Sequence, residues 1–400
     1  MVILLNLILA GLATLSFALA VWQWLAAMRF PLHRRQPTGA NPPAITVLKP
    51  LKGCDETTRD SLRCWLQQTY AGHLQILFGV ASAADPVCAI VRELLAQHPG
   101  LDARLVICSK SLGANAKVST LVQLESLAKH SLLLASDADV RVPADFLSQI
   151  VTHLDDPGVG LVNCFYRLAN PRNHAMHWET IAVNADFWSQ VLQSATLKAP
   201  NFALGAVMLT RRSALAEIGG FAALADCLAD DYQLGHRLTG KGHRIAMGSV
   251  VVECWDKPMN WSEVWKHQIR WARTIRICQP LPYFMSILAN ATLWPLLWLL
   301  SACLFTHSHA ALVLATAFLA GRIVMAWHLQ RHFTPDRDLV SPHWLVPVKD
   351  LLHFVVWFNS FLSNTVEWRG QRMKVRRDGT LVACEEMVGN EGFEPPTVSV

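Results

Sequence analysis

The residues best placed for chemistry in this sequence are acidic, and they follow apolar runs. Leu132-Leu133-Leu134-Ala135-Ser136 leads directly into Asp137-Ala138-Asp139. An uncharged run of that length predicts a buried strand, and in open α/β sheets ligands collect beyond the carboxyl ends of strands. Two carboxylates one residue apart are suited there to hold Mg²⁺ or Mn²⁺ against a diphosphate. A D-x-D by itself also serves as a solvated turn or helix cap, and its place after a buried strand is what favours the metal. Asp55 stands just past an earlier run, in Lys49-Pro50-Leu51-Lys52-Gly53-Cys54-Asp55. It can accept a hydrogen bond from a base or ribose, or cap the next helix. Gly113, Asn115 and Lys117 follow a third run, with Lys117 able to meet a phosphate. Asp230-Asp231-Tyr232 opens a helical stretch, Asp231 to Leu238. Helix capping accounts for carboxylates there. So does general-base work, because an attacking alcohol must lose its proton to a nearby acceptor.

Two other patterns mislead. Gly235-His236-Arg237-Leu238-Thr239-Gly240-Lys241-Gly242 imitates a P-loop. Gly242, however, occupies the place of a metal-binding Ser or Thr, and the stretch ends a helix instead of following a strand. Gly240 and Gly242 read as helix-stop residues. The sequence has neither H-E-x-x-H nor G-x-S-x-G, so zinc hydrolysis and serine acyl transfer have no support.

The elements that must position these groups alternate. Strands are expected over Ile45 to Leu48, Gln75 to Val80, Arg104 to Cys108, Leu132 to Ala135 and Val159 to Cys164. Helices are expected over Thr57 to Gln68, Pro86 to Gln97, Val118 to Lys129 and Pro143 to Leu154. That alternation predicts an α/β fold with a mainly parallel sheet. Beyond Phe165 helix and strand signals mix.

The flanks are of another kind. Val2 to Met28 carries no charge and is long enough to cross a bilayer as a helix. Arg29, His33, Arg34 and Arg35 follow at once, which by the positive-inside rule puts the rest of the chain in the cytosol. Trp261 to Ile277 reads as an amphipathic helix, with Trp261, Val264, Trp265 and Trp271 on an apolar side and Lys266, Arg270, Arg273 and Arg276 supplying charge. Periodicity alone fits packing on the catalytic domain equally well. Leu281 to Phe305 and Ala310 to Trp327 read as a transmembrane hairpin. Trp344 to Phe361 is interrupted by Lys349, Asp350 and His353, which suits an interfacial or re-entrant segment. Arg369, Arg372, Lys374, Arg376 and Arg377 make a basic tail. The expected layout is an anchor over 1–28, a cytoplasmic catalytic domain over 44–257, and an interfacial helix over 258–279. Membrane segments over 281–363 and a basic, then disordered, tail over 364–400 complete it.

Composition agrees with an enzyme joined to membrane segments: 16% charged residues and 52% hydrophobic ones are too greasy for a soluble enzyme and too charged for a pure transporter. The net charge of +5 is modest and gathers beside apolar segments, so anionic headgroups or phosphates are expected as partners, and nucleic acid is not. The 10 cysteines form no C-x-x-C pair, which points to reduced thiols in the cytosol.

The order Asp55, Asp137-x-Asp139, Asp230-Asp231-Tyr232, then His267-Gln268-Ile269-Arg270-Trp271 resembles the ceramide glucosyltransferase family, whose members are family 2-like inverting enzymes of GT-A fold. The likeness runs from Val47-Leu48-Lys49-Pro50-Leu51-Lys52-Gly53 through Asp102-Ala103-Arg104-Leu105 to Val366-Glu367-Trp368-Arg369-Gly370. Leu228 to Gly235 and His267 to Arg276 are most similar to the bacterial hopanoid-associated branch. The resemblance implies a metal-dependent hexosyltransferase moving glucose or N-acetylglucosamine from a UDP-sugar to a ceramide or hopanoid hydroxyl at the inner face of a membrane. It implies Asp55 on the nucleoside, Asp137 and Asp139 on the metal diphosphate, and Asp231 as base. Arg270 and Trp271 would line the donor and acceptor site, with Asp230, His267 and Arg273 in the acceptor and diphosphate region. The family's motif usually begins with Gln or Arg where this chain has His267, and Arg270, Arg273 and Arg276 can supply the charge instead. Two rival readings share these motifs. A processive polysaccharide synthase would need a pore that three or four membrane segments make poorly, and an inactive nucleotide-binding scaffold would not need every carboxylate. The sequence leaves donor sugar, acceptor lipid, metal and oligomeric state open.

Overall fold

Ile45, Val47 and Leu48 are completely buried, as a strand covered on both faces requires. In the computed structural model, which describes residues 1–39, 41–334, 340–368 and 371–383, they lie at the centre of an eight-stranded sheet. The chain begins with α1 (Val2–Arg29). There follow β1 (Ile45–Leu51), α2 (Thr58–Leu66), β2 (Leu74–Val80), α3 (Val87–Gln97), β3 (Asp102–Ile107), α4 (Ala116–Glu125) and β4 (Leu132–Ser136). Then come β5 (Val140–Arg141), α5 (Phe146–Val151), β6 (Val159–Leu168), α6 (His174–Ile181), a π-helical turn (Ala182–Phe187) and α7 (Trp188–Leu197). The sheet is completed by β7 (Val207–Arg211) and, after α8 (Arg212–Glu217) and α9 (Asp230–Gly240), by β8 (Arg244–Cys254).

Strand order is β3-β2-β1-β4-β7-β6-β8-β5. The first half is parallel, Ile45 lying opposite Leu74 on one side and Leu132 on the other. β7 then runs antiparallel to both β4 and β6, and β5 antiparallel to β8, so the sheet is mixed. The five strands read from the sequence are all present, whereas β5, β7 and β8 carried too weak a signal. β7 has only Val207-Met208-Leu209 as its apolar core, and β8 slips register against β6 between Cys164 and Phe165. The false P-loop is the end of α9, with Gly242 at a φ of +91° just after it. Glycine is required there because that backbone conformation is strained for other residues.

C-terminal to the sheet lie α10 (Trp261–Cys278), α11 (Pro280–Met285), α12 (Leu293–Ser301), α13 (His309–Phe333) and α14 (Leu345–Ser360). α10 starts with a capping box in which Asn260 Oδ1 accepts from Glu263 N at 3.1 Å and Asn260 N donates to Glu263 Oε2 at 2.8 Å. α1 and α13 are each long and apolar enough to span a membrane. The first arm of the expected hairpin is not one straight helix, because Pro280–Ala289 and Leu293–Thr306 meet at a 43° bend. Asn290 makes that break, its Oδ1 accepting from Leu293 N at 2.9 Å as an N-cap does. Residues 364–383 are likewise not a loose basic tail. β9 (Thr365–Trp368), β10 (Gln371–Val375) and β11 (Leu381–Ala383) form an antiparallel sheet, and Arg369 and positions 384–400 lie outside the described residues.

The charges that interrupt the 344–361 stretch point inward and pair. Arg322 of α13 donates through Nε and Nη2 to Asp350 of α14 at 2.9 Å each, and through Nη2 to Asp186 of the π-turn at 2.9 Å. Lys349 lies 2.5 Å from Asp350 and bonds Asp186 as well. Thr292 and Asn290 add hydrogen bonds to the Asp350 side chain and carbonyl at 2.6 and 2.8 Å. All four charged groups are buried, so removing one partner strands a charge. Arg322→Met is expected to cost about 3–5 kcal/mol of stability. The double variant Arg322→Met with Asp350→Leu removes one charge of each sign and should cost less than either single change. Thermal unfolding of the purified protein in detergent checks this, and strictly additive losses would show that the pair is not coupled.

Candidate active site

The carboxyl end of β4 and the start of α9 meet at Gly205. A Cβ built on that glycine would lie 3.5 Å from Asp137 Oδ2 and 3.5 Å from Asp231 Oδ2. The two carboxylates are therefore no more than twice that distance apart, although 94 positions separate them in the chain (231 less 137). Asp231 is fixed by backbone amides: Gly205 N donates to Oδ2 and Tyr232 N to Oδ1, each at 2.7 Å. Close backbone approach makes this possible. Any side chain at Gly235 of α9 would put its Cβ 2.0 Å from Ala203 N, and one at Gly113 would collide with the Ala225 carbonyl at 2.6 Å.

Lys117 lies between the two acidic motifs, its Nζ 2.7 Å from Asp137 Oδ1 and 3.1 Å from Asp230 Oδ2. Burial works against its charge, but Asp137, Asp230 and Asp231 outweigh that and hold the amine above its ordinary range. Asn115 is the N-cap of α4: its Oδ1 accepts from Lys117 N at 3.0 Å and Val118 N at 3.2 Å, while its amide donates to Cys227 O at 2.9 Å. Its side chain is thus committed to the backbone. On the other side of Asp137, the fully buried Lys49 donates to the Asp137 carbonyl at 2.6 Å and to Ser136 Oγ at 3.2 Å. Burial lowers its amine to about 8, with Asp139 and Asp137 acting in the opposite direction.

Asp139 faces Asp256, just past the end of β8. Burial first, then the Asp256 and Asp137 charges, raise the Asp139 carboxyl to about 7. Burial also raises Asp256 to about 6, while neighbouring His267 pulls it back. Asp231 is raised by burial and by Asp230, and held back by the Gly205 amide and Lys117. Buried carboxylates that repel one another in this way favour a cation among them. Among the described residues no three His, Cys, Asp or Glu side chains already surround one point. A Mg²⁺-like ion usually takes only one or two carboxylates, with substrate phosphates completing its shell, so Asp137 and Asp139 suit one.

The other expected residues divide. Asp55 Oδ1 accepts from Thr57 N and Oγ1 at 2.8 Å and from Thr58 N and Oγ1 at 3.0 and 2.9 Å, so it organises the entry to α2. Its Oδ2 has no hydrogen bond among the described residues and remains available to a ligand. Burial raises its carboxyl, but those four bonds outweigh it and hold the group below the usual range. On α10, the His267 ring packs tilted against Trp271, with centroids 4.2 Å apart and ring planes at 53°, and Arg270 is half-buried one turn away. Arg273 is occupied elsewhere, bonding the Thr365 carbonyl and, at 3.3 Å, Asn359 Oδ1. Arg276 likewise bonds Asn364 and the Ser363 carbonyl, the latter at 3.3 Å, so both guanidinium groups are tied to the 359–365 segment through neutral acceptors. Lys49, Asp256, Gly205 and Glu179 escaped the sequence reading. Asp256 had a signal, since it follows the apolar run Val250-Val251-Val252 as Asp137 follows its strand, and a lysine inside an apolar strand at position 49 was another.

Glycosyl transferase family 21 matches residues 5–381, and the chain belongs to that family. It is 24% identical over 221 residues to ceramide glucosyltransferase 1 of Caenorhabditis elegans, covering 55% of this chain and 47% of the relative. It is 25% identical over 247 residues to an N-acetylglucosaminyltransferase of Bradyrhizobium diazoefficiens, covering 58% and 49%. The chain thus spans about half the length of these curated relatives. Among solved structures, the mannosyltransferase PcManGT of Pyrobaculum calidifontis, in complex with GDP-Man and Mn²⁺, superposes with a TM-score of 0.52 at 21% identity. That match covers 88% of this chain and 99% of the other, and supports the GT-A fold.

Because Asp139 titrates near 7 when folded and near 3.9 when unfolded, the native chain binds the extra proton between those values. Its contribution to stability is therefore complete at low pH and is lost as pH rises through about 7. Asp139→Asn is expected to raise the thermal midpoint of metal-free protein near pH 8, and to raise it progressively less as pH falls toward about 4, where the unfolded carboxyl also takes up its proton. Mn²⁺ should raise the wild-type midpoint near pH 8 more than that of the variant. Equal midpoints for both proteins across that range would refute the electrostatic account.

Proposed function

We propose that this family member transfers a single sugar, glucose or N-acetylglucosamine, from a UDP-sugar to the hydroxyl of a membrane lipid with inversion at the anomeric carbon. The observation that carries this reading is the meeting of the Asp137 and Asp231 carboxylates at Gly205, which supports a reading of one on the diphosphate side and the other as base. Asp231 takes the proton of the acceptor hydroxyl as that oxygen bonds the anomeric carbon. The bond from that carbon to the phosphate oxygen breaks with its electron pair, and the nucleoside diphosphate departs from the opposite face. Burial that raises the Asp231 carboxyl makes it the stronger base. A divalent cation held by Asp137 and Asp139 would neutralise the departing diphosphate. Lys117, charged and 2.7 Å from Asp137, adds a positive group at the same rim, with Arg270 of α10 as a further candidate. Asp55 Oδ2 would receive the nucleoside, and Asp230, His267 and Trp271 would border diphosphate and acceptor.

Membrane topology follows from the same assignment. β11 returns to the loop before α9, where Leu381 N donates to Asp226 O at 2.7 Å and Leu228 N to Gly379 O at 3.2 Å. The C-terminal sheet must therefore lie on the catalytic domain's side of the bilayer. An even number of crossings between α10 and β9 meets that condition, namely the bent α11–α12 segment outward and α13 back, with α14 not crossing. Arg29, Arg34 and Arg35 after α1 favour the cytoplasm for that side.

Asp231→Asn is expected to reduce sugar transfer at least 1,000-fold, roughly the upper range of general-base effects, while UDP-sugar affinity changes little. Detergent-solubilised protein, a panel of UDP-sugars and lipids, and product masses test this, with UDP-sugar binding measured separately. A variant with full turnover would remove Asp231 from the base role, and a ladder of product masses would point to polymer synthesis.

A further inference from the structure

Arg34 takes no part in the chemistry above, and its exposed guanidinium has no hydrogen bond or ion pair among the described residues. With Arg35, Pro31, Gln36, Pro37 and Ser249 it lines a cleft of about 340 Å³. That volume lies at the lower end of the range of about 300–1,000 Å³ common for small-ligand sites. Arg35 is held by a two-point pair with Asp145, Nε to Oδ2 at 2.6 Å and Nη2 to Oδ1 at 3.3 Å, which leaves its Nη1 uncommitted. The Arg34 charge therefore has no counter-ion of the protein's own among the described residues. Guanidinium groups present paired donors in one plane, a match for phosphate oxygens.

The wall of the cleft is built by a break in the sheet. Between the pairs Cys164–Gly248 and Phe165–Val251 the β6–β8 ladder slips, so Ser249 and Val250 have no partner on β6. Ser249 instead takes up the chain leaving α1: its carbonyl accepts from His33 N at 2.7 Å and its hydroxyl donates to Arg34 O at 2.6 Å. His33 is held at a φ of +61°, which few residues with a side chain adopt. Buried Gln149 of α5 then brackets Gln36, accepting from its N at 2.7 Å and donating to its carbonyl at 3.2 Å. The backbone of 33–36 is thus docked on the domain, while the Arg34 and Gln36 side chains stay exposed.

The surroundings place the cleft at a bilayer surface. α1 ends at Arg29, and α13 ends against the same loop, where the His332 carbonyl lies 3.0 Å from His33 Nε2. Less than two turns before those ends, Trp24 of α1 donates from Nε1 to His328 of α13 at 2.8 Å, and the Arg331 guanidinium sits 4.6 Å from the Trp327 ring centre. Tryptophans with arginines just beyond them mark the headgroup level of a membrane. Both helices are candidate spans, and Arg29 and Arg331 are exposed beside the loop that carries Arg34. The phosphates nearest such a cleft are those of lipids.

We propose that this cleft binds the headgroup of an anionic phospholipid, its phosphodiester on Arg34 and Arg35 and its polar substituent toward Gln36 and Ser249. A lipid bound there holds the segment between α1 and β1 against β8 and so fixes the sheet relative to the bilayer. Free phosphate presents the same oxygens and is the competing occupant.

The test titrates the full-length protein in detergent with fluorescent phosphatidylglycerol and, separately, with phosphatidylcholine carrying the same label and chains. Wild type should favour phosphatidylglycerol by about tenfold or more. Arg34→Gln removes one exposed charge and no protein contact, so it should keep the wild-type thermal midpoint and bind phosphatidylglycerol about tenfold more weakly. Lys110→Gln, which removes the same charge just past β3 toward the sheet's opposite edge, should weaken binding less than about twofold. Equal losses in the two variants would reduce the effect to general surface charge and overturn the inference, as would a wild type indifferent to lipid charge. Inorganic phosphate in excess, at constant ionic strength, should leave the labelled lipid bound, and its full displacement would assign the cleft to a free anion instead. Binding is read without sugar transfer, so none of these outcomes bears on the transferase reading.

Discussion

Five carboxylates crowd one poorly hydrated rim of this sheet, and the fold around them is organised to tolerate that. Asp137, Asp139, Asp230, Asp231 and Asp256 come from three separate strand or helix ends, and the raised pKa values of Asp139, Asp231 and Asp256 record their burial first, with repulsion by Asp256 and Asp137 added at Asp139 and by Asp230 at Asp231. Two lysines offset part of it. Lys117 is charged and shared between the two acidic motifs, while Lys49 is enclosed beneath them, its amine 4.7 Å from the Trp65 ring centre. The lysines neutralise the protein's own excess only in part, and on the proposed reading the remainder is what a divalent cation would meet.

The segment from α6 to α7 joins this rim to the membrane helices. Glu179 engages α10, Asn184 accepts from Leu168 N and donates to Leu168 O at the end of β6, and Asp186 enters the ionic network with Arg322 and Lys349. These three contacts lie within eight positions because the π-helical turn redirects side chains that a continuous α-helix would stack on fewer faces. A shift of α13 or α14 relative to the sheet would therefore act on β6 and α10 together. The rim and the apolar helices beside it are thus tied through one short segment.

Much of this could be read from residue order, and the reasons for the exceptions are physical. Apolar runs ending in carboxylates marked β1 and β4 because parallel strands are buried on both faces and leave an uninterrupted pattern. β7 is antiparallel to both neighbours and has a short apolar core, while β8, parallel to β6 and antiparallel to β5, carries a register slip that dilutes the pattern. Asp55 was legible as a residue past a strand, with two roles open, and the structure uses one oxygen as a cap while leaving the other available. Arg273 and Arg276 share the charge of Arg270, and no local pattern announces that these two guanidinium groups bond the chain 86 or more positions later. Glu179 had no signal at all: a glutamate in an amphipathic helix normally faces water, and only tertiary packing turns this one inward.

The C-terminal sheet shows why the acidic loop before α9 cannot be understood from its own sequence. Leu228 packs with Val366, Met373, Val375 and Leu381, an apolar cluster that a solvated basic tail would leave exposed. The loop is gripped from both sides. On one, Ala114 N donates to Asp226 Oδ1 at 2.9 Å and Asn115 Nδ2 to Cys227 O at 2.9 Å; on the other, Leu381 N donates to Asp226 O. Asp230 and Asp231 follow within five positions of Asp226, so their carboxylates inherit a position set by α4 and by β11 jointly. Placing a base against a repelling neighbour demands rigid support, since either carboxylate would otherwise turn toward solvent. The basic residues of the last strands thus do more than attract a membrane surface: the sheet that carries them closes the loop on which the proposed base stands.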